Sequence, residues 1–310
     1  MSSYVQKRID YINNWPNVSP FDAEINYQHR CEQFVENNAR FPFSLLKLWL
    51  DTDDNFNRAI SHFIDSLDVM PYHPNFAFSF IFSALDYYSK STYSNTNITI
   101  CFKTLADEIS DLANNNNDTK YLLHELFSYI PVSLTMYLYK CLSGAKPYNR
   151  TYSRVTMNID NTDNIHRKNI VDSIYAKYGF DPSRPNNTIR QPALLYRTLF
   201  KKDTIIINGV NINITDNLRL HLLLSGIIYS LRNDSLHGSS MSSTKSSKTT
   251  PERYALNYYC YLATYTIFMI LLIMKSSMSI SNKNTKYAEL RTITINNIED
   301  FRKLFGNHIQ

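Results

Sequence analysis

The residues best suited to take part in a chemical reaction stand close together near position 232. Arg232, Asn233 and His237 form the pattern Arg-Asn-x-x-x-His. An imidazole has an unperturbed pKa of about 6.5 and exchanges protons near neutral pH. A planar guanidinium donates two parallel hydrogen bonds to phosphate oxygens. Together, these groups suit proton transfer next to a phosphorus centre that gains negative charge, as when a ribose 2′-hydroxyl attacks the adjacent phosphodiester.

The motif stands at the end of a predicted helix. Apolar residues in 218–231 follow helical spacing, and Gly238 fits the position after the helix, where glycine adopts a left-handed backbone at little cost. Asn233 and His237 are spaced i,i+4 and face the same side. Arg232 lies about 140° from His237 around an ideal helix, so it reaches the imidazole only through its long side chain or an irregular helix end. The alternative is a helix terminus where Arg and His merely bind carbonyls and complement the dipole.

The motif and its flanks resemble those of HEPN-domain proteins, many of which are metal-independent ribonucleases. In that family, an Arg, a polar residue, several variable positions and a His end one core helix. A flexible loop then leads to the last helix. This chain has the same arrangement, with a predicted helix at 216–237, a Ser/Thr/Lys loop at 239–250 and a helix at 251–275. The resemblance covers about residues 53–275 and implies a HEPN-like helical bundle.

The resemblance also implies roles for the motif. Arg232 would bind the scissile phosphate, Asn233 would orient the imidazole or the phosphate, and His237 would handle protons or position the 2′-hydroxyl. Family members often carry an acidic residue on an early core helix near the Arg/His pair. Asp86, on the predicted helix 75–90, is the candidate for this role, and an ordinary exposed carboxylate is the alternative.

The resemblance further implies partners. The family typically builds its cleft from two copies of the motif, so a homodimer acting on RNA is expected. HEPN toxins paired with a nucleotidyltransferase antitoxin carry Tyr two positions after the His, where this chain has Ser239. The longer HEPN proteins of phage defence and RNA processing are therefore the nearer match, with stress-response RNA cleavage as a related role. An antitoxin or a regulatory protein stays open as a partner.

The excess positive charge is concentrated in one segment. The chain has 32 basic and 27 acidic residues, a net charge of +5. Residues 143–203 contain eleven Lys/Arg and five Asp without Glu, so the remainder is nearly neutral. Such a segment can contact phosphates, and a solvated basic face is the alternative. The candidate RNA-binding residues are Arg150, Arg154, Arg167 and Lys168, with Lys245 and Lys248 in the loop after the motif.

The elements needed to position these residues are mainly helical. Only six Gly are present, too few for a glycine-rich nucleotide cradle, and long apolar runs follow helical spacing. Two β-branched runs flank Asn208-Gly209, which predicts a hairpin. The predicted organisation is an N-terminal helical extension at 1–52, a helical domain at 53–277 with an insertion at 143–215, and a tail at 278–310 with a strand near 291–295 and a helix near 298–305.

Cofactors, metals and secretion are not expected. The four Cys are far apart and lack a C-x-x-C pair, which is typical of isolated reduced core cysteines rather than a zinc site or disulfides. The N-terminus lacks the apolar stretch of a signal peptide, which predicts a cytoplasmic protein.

Two alternatives to a ribonuclease remain open at this stage. The first is a non-catalytic HEPN protein that binds RNA or a nucleotide and scaffolds a complex. The second is a single-span membrane protein, because residues 254–274 carry no charge and are nearly long enough to cross a bilayer. Asn257 and several Thr and Tyr interrupt this stretch, so a helix buried in a bundle is favoured.

Overall fold

The computed structural model describes residues 3–144, 150–156, 162–181, 185–236 and 247–310, most of which lie in helices. The mainly α prediction is confirmed. The helices before residue 145 are α1 (Ser3–Asn14), α2 (Asp22–Asn38), α3 (Asp54–Asp68), α4 (Pro74–Thr92), α5 (Ile98–Asn115), α6 (Asn117–Ser128) and α7 (Val132–Ser143). After it come α8 (Arg150–Thr156), α9 (Thr162–Tyr178), α10 (Pro185–Lys201), β1 (Thr204–Ile207), β2 (Val210–Asn213), α11 (Asp216–His221), α12 (Tyr229–Leu236), α13 (Pro251–Lys275), α14 (Ile280–Phe305) and a 3₁₀ turn (Gly306–Ile309).

Helix α13 forms the centre of the core. Every residue from 254 to 273 is buried, and the helix packs against α2, α4, α7 and α14. It is long and apolar enough to cross a membrane, but its most apolar stretch is wholly buried in the fold. Burial against neighbouring helices accounts for this composition, because a helix covered on all sides needs no polar face.

The tail differs from its prediction. Residues 291–295 lie within α14 and not in a strand, so the predicted strand is wrong. Although Thr and Ile alternate here, the buried residues recur at helical spacing and pack on α6 and α13. Tertiary packing therefore outweighs the β preference of branched side chains. The buried positions include Tyr287, Leu290, Thr294, Ile298 and Phe301.

An extended segment, residues 40–50, is held against α13 and α14 by polar side chains. Asn297 binds both backbone groups of Ser44, at 2.7 Å to its N–H and 3.0 Å to its carbonyl. The hydroxyl of Tyr265 accepts from the backbone N–H of Leu46 at 2.7 Å. This segment pairs with no strand of the described residues, so these side chains replace the hydrogen bonds of a sheet.

The region 143–215 shares the main core. Helix α8, which the sequence did not reveal, packs on α7, and α10 packs on α6 and α7. The hairpin at β1 and β2 is as predicted, with positive φ at Asn208 and Gly209. Buried side chains of this region belong to the same hydrophobic cluster as α13; they include Val155, Ile170, Ile174, Tyr196 and Leu199.

The helix that carries the motif is irregular in its middle. A π-helical turn, Leu222–Ile228, joins α11 to α12, and every residue in it is buried. Such turns change which way the following side chains point and often occur at functional sites. A Cβ added at Gly226 would lie 2.7 Å from Cδ1 of Leu138 and 3.4 Å from Cγ2 of Val155. Glycine therefore permits the close packing of this turn on α7 and α8.

We expect Gly226→Ala to lower the free energy of unfolding by about 1–3 kcal/mol, because the added methyl overpacks the contact with Leu138. At an unhindered helical site, the same change would stabilise by about 0.5–1 kcal/mol. Urea unfolding measures the sign. In a Leu138→Ala background the cost should shrink, since that change makes room, and a stabilising effect of Gly226→Ala alone would contradict the packing account.

Candidate functional site

Arg232 lies near the end of the described part of the motif helix. It stands on α12 and is half-buried, and its Cζ is 5.3 Å from the ring centre of Phe82 on α4. Its Nη1 donates to Oδ1 of Asn233 at 3.2 Å. The guanidinium therefore rests on an aromatic face, and the motif Asn contacts it directly. Such stacking holds the planar group in one orientation.

A second guanidinium approaches the same helix from α8. Nη2 of Arg154 donates to the hydroxyls of Thr151 at 2.8 Å and Ser230 at 2.6 Å. Its Nε donates to the carbonyl of Ser225, within the π-helical turn, at 3.4 Å. Its Cζ lies 4.6 Å from the ring centre of Tyr229. A residue of the predicted RNA-binding set is thus fixed to the motif helix.

Neighbouring rings connect the two arginines. The ring of Phe82, under Arg232, and the ring of Tyr229, under Arg154, are 6.4 Å apart. Phe102 on α5 packs against both, at 5.9 Å and 6.4 Å. We call these five side chains the two-arginine site. Its aromatic floor belongs to the hydrophobic core or packs on it, so the guanidinium groups stand on a rigid base.

The guanidinium groups of the two-arginine site donate hydrogen bonds only to neutral groups of the described residues. Among the described residues, no carboxylate forms an ion pair with Arg154 or Arg232. Burial lowers the pKa of Arg154, opposed by weaker interactions with groups that include Asp234. Oδ2 of Asp234 accepts from the hydroxyl of Tyr137 at 2.8 Å. Cations with only neutral contacts are stabilised by an incoming anion.

Asp86 lies on α4, one helical turn after Phe82. Its Oδ1 is 2.9 Å from Nζ of Lys90, in an i,i+4 ion pair. Both line an open surface pocket of about 620 Å³ that also includes His62. Asp86 therefore lies on the same helix as Phe82, which contacts Arg232, and the ion-pair partner of Asp86 is Lys90.

The remaining predicted site residues are distributed as follows. Arg150 and Lys168 are exposed, and Lys248 is exposed with its Nζ 5.7 Å from the ring centre of Tyr4. His237 and Lys245 lie outside the described residues.

Arg167 does not belong to an exposed phosphate-binding surface. It is only 4% exposed, and Nη1 donates to Oδ1 of Asn217 at 2.9 Å. Nδ2 of Asn217 donates to Oδ1 of Asp107 at 2.6 Å, and Nε2 of His221 lies 3.4 Å from the same oxygen. Arg167 is therefore part of a polar network between α5, α9 and α11, in which Arg167 and His221 are buried and Asp107 is partly exposed. The sequence does not indicate this network, because its residues on different helices are more than forty positions apart in the chain.

Sequence reasoning also missed the partners of the two arginines. By sequence, Phe82 lies on the apolar face of its predicted helix and Ser230 is an ordinary residue of the motif helix, whereas Thr151 stands in a segment predicted as polar loop. The available signal was Tyr229 three positions before Arg232, which placed an aromatic residue one turn from the motif.

The arrangement can bind an anion and stabilise developing negative charge, as guanidinium groups do beside phosphates. Within the described ranges, no group of three or more His, Cys, Asp or Glu side chains is placed to hold a metal ion. Comparison with protein-family models, curated proteins and solved structures finds no match to this chain.

We expect protonation of His221 to destabilise the fold. Burial lowers the pKa of His221 from its usual 6.5, so the unfolded chain binds a proton that the folded chain excludes. The free energy of unfolding is then highest above pH 6.5 and falls as the pH drops below it. Burial alone would raise the pKa of Asp107, but interactions led by the hydrogen bonds from His221 and Asn217 lower it. The contribution of Asp107 to the free energy of unfolding is lost only in stronger acid, as the pH falls below 3.8, the usual pKa of this carboxyl.

Urea unfolding at about pH 7.5 and about pH 5.5 tests this sign. The parent should lose more free energy between these pH values than His221→Gln, which cannot be protonated. Equal losses in both proteins would assign the pH dependence to other groups.

Proposed function

We propose that this chain is a metal-independent endoribonuclease of the HEPN type. One observation carries the proposal. Arg232 lies on the helix that precedes His237 in the sequence, and its guanidinium rests on the core ring of Phe82 without a carboxylate partner among the described residues. A buried or half-buried cation without an acid partner is costly in a purely structural role and useful beside a phosphate.

The proposed reaction needs three functions from this chain. Arg232 binds the scissile phosphate and stabilises the charge that develops on its oxygens. His237 takes the proton from the 2′-hydroxyl or returns one to the departing 5′-oxygen. Attack of the 2′-oxygen forms a bond to phosphorus and breaks the bond to the 5′-oxygen, leaving a 2′,3′-cyclic phosphate and a 5′-hydroxyl. Asn233 orients the guanidinium that it contacts at 3.2 Å.

Two further parts of the proposal concern the surroundings. Asp86 is the proposed acidic residue of the site, acting from the helix whose Phe82 supports Arg232. A homodimer would place two copies of the motif in one cleft, and RNA cleavage in phage defence or a stress response is the proposed setting. A non-catalytic RNA-binding scaffold would use the same arginines but leave the RNA intact, so cleavage separates the two functions.

Cleavage of total RNA in EDTA tests the site. We expect the parent to cut, and Arg232→Ala and His237→Ala to lose roughly 10²- to 10⁴-fold in rate, the range for a lost charge-stabilising or acid–base group. Arg58→Ala is the matched control, because Arg58 is exposed and also stands before a His, His62, on α3. Equal cleavage by parent and all variants would contradict the assignment, and binding without cleavage would favour the scaffold.

The exposed basic residues give a separate prediction for binding. With His237→Ala as the background, Arg150→Glu and Lys168→Glu should each weaken RNA binding and reduce the slope of log K against log salt by roughly one per lost phosphate contact. Lys120→Glu, on an exposed position of α6, is the control. An unchanged slope would return Arg150 and Lys168 to the role of a solvated basic face.

A further inference from the structure

We propose that Arg154 binds the phosphate next to the scissile one, so that the two-arginine site takes single-stranded RNA through neighbouring phosphodiester groups. This inference rests on the proposed function, since it takes Arg232 as the ligand of the scissile phosphate. It adds a substrate-binding residue from outside the motif, on α8.

The donor groups of Arg154 are divided between the protein and solvent. Nε and Nη2 are held by Ser225, Thr151 and Ser230, all neutral acceptors. Nη1 donates to no described residue and is not completely buried, so it can bind a further acceptor. The guanidinium is therefore fixed on one side and free on the other. This is how a preorganised anion site differs from a structural arginine, which uses its whole fork within the protein.

The neighbouring side chains hold the guanidinium of Arg154 in one orientation. Thr151 is 7% exposed and Ser230 4% exposed, and both hydroxyls also bind each other at 3.0 Å. The ring of Tyr229 covers one face of the guanidinium at 4.6 Å. An exposed arginine would lose side-chain entropy on binding RNA, whereas Arg154 is already ordered.

The spacing of the two arginines suits one RNA strand. Arg154 lies over Tyr229 and Arg232 lies over Phe82, and these rings are neighbours at 6.4 Å. Phosphates recur roughly every 3.4 Å of rise along a strand of a duplex and farther apart in an extended strand. Two guanidinium groups on touching rings thus fall within the span of a few nucleotides, and one strand can contact both.

Neutral phosphate analogues test this inference without altering the protein. A DNA oligonucleotide with ribose at one position has one cleavable phosphodiester. Replacing the phosphate on its 5′ or 3′ side by a methylphosphonate removes the charge there. In one of these two positions we expect the kcat/KM of the parent protein to fall by roughly 10- to 100-fold, the loss of one charge-assisted hydrogen bond.

The variant Arg154→Gln completes the double-mutant cycle, because its amide nitrogen stands where Nε of Arg154 does and can keep the hydrogen bond to the carbonyl of Ser225. It should cleave the all-phosphate oligonucleotide more slowly by a similar factor and show no further loss with the methylphosphonate. Arg58→Gln is the control and should keep the full loss. Thermal unfolding checks that Arg154→Gln is folded.

The outcomes separate this inference from the proposed function. Cleavage by the parent that is insensitive to both methylphosphonates overturns the role of Arg154 and leaves the nuclease in place. The same holds if Arg154→Gln retains the methylphosphonate loss. If the parent cleaves neither this oligonucleotide nor total RNA, the proposed function is overturned, and this inference falls with it.

Discussion

The central helix α13, which carries no charged residue from 254 to 274, imposes the main constraint on this fold. Its buried stretch cannot face water, so other helices must cover it on every side. Helix α4 does so with one face and meets α5 and Tyr229 with another. The Phe82 ring is therefore part of the core and also the support of Arg232. The central helix thus determines where the candidate site has a rigid floor.

The edge of this core favours arginine over lysine. A guanidinium is planar and weakly hydrated, so it can lie on an aromatic ring while some of its N–H groups stay in solvent. Arg154 and Arg232 both do this, and neither has a carboxylate partner among the described residues. Elsewhere, Arg40 donates to both oxygens of the fully buried Asp300, and Arg219 binds Asp203 and Asp216. The half-buried Arg197 instead donates to the carbonyl oxygens of Ile130 and Ile309. The two-arginine site combines neutral hydrogen-bond partners with two neighbouring rings that support its guanidinium groups.

Local sequence patterns predicted the hairpin and most of the helices, and they missed what depends on distant contacts. Asp53 before an apolar helical pattern predicts a helix cap, and its carboxylate accepts hydrogen bonds from the N–H groups of Asn55 and Phe56 at the start of α3. This contact is local and does not depend on the rest of the fold. The sequence pattern of residues 121–142 predicts one helix bent at Pro131, and the structure has two helices there. Pro131 and the packing of α7 on α10 favour a full break over a bend. The sequence pattern did not predict the π-helical turn, because the turn depends on the close packing of Gly226 against α7 and α8. For the site, the sequence located Arg232, Asn233 and the charge excess, but it could not tell exposed basic residues from buried ones.

A structure of the His237→Ala protein bound to a short RNA with 2′-O-methyl groups tests the central claim most directly. The account predicts adjacent phosphates on the guanidinium groups of Arg232 and Arg154, with residue 237 of one or two subunits beside the 2′-oxygen. RNA bound at another surface, with both arginines free of phosphate, would contradict it.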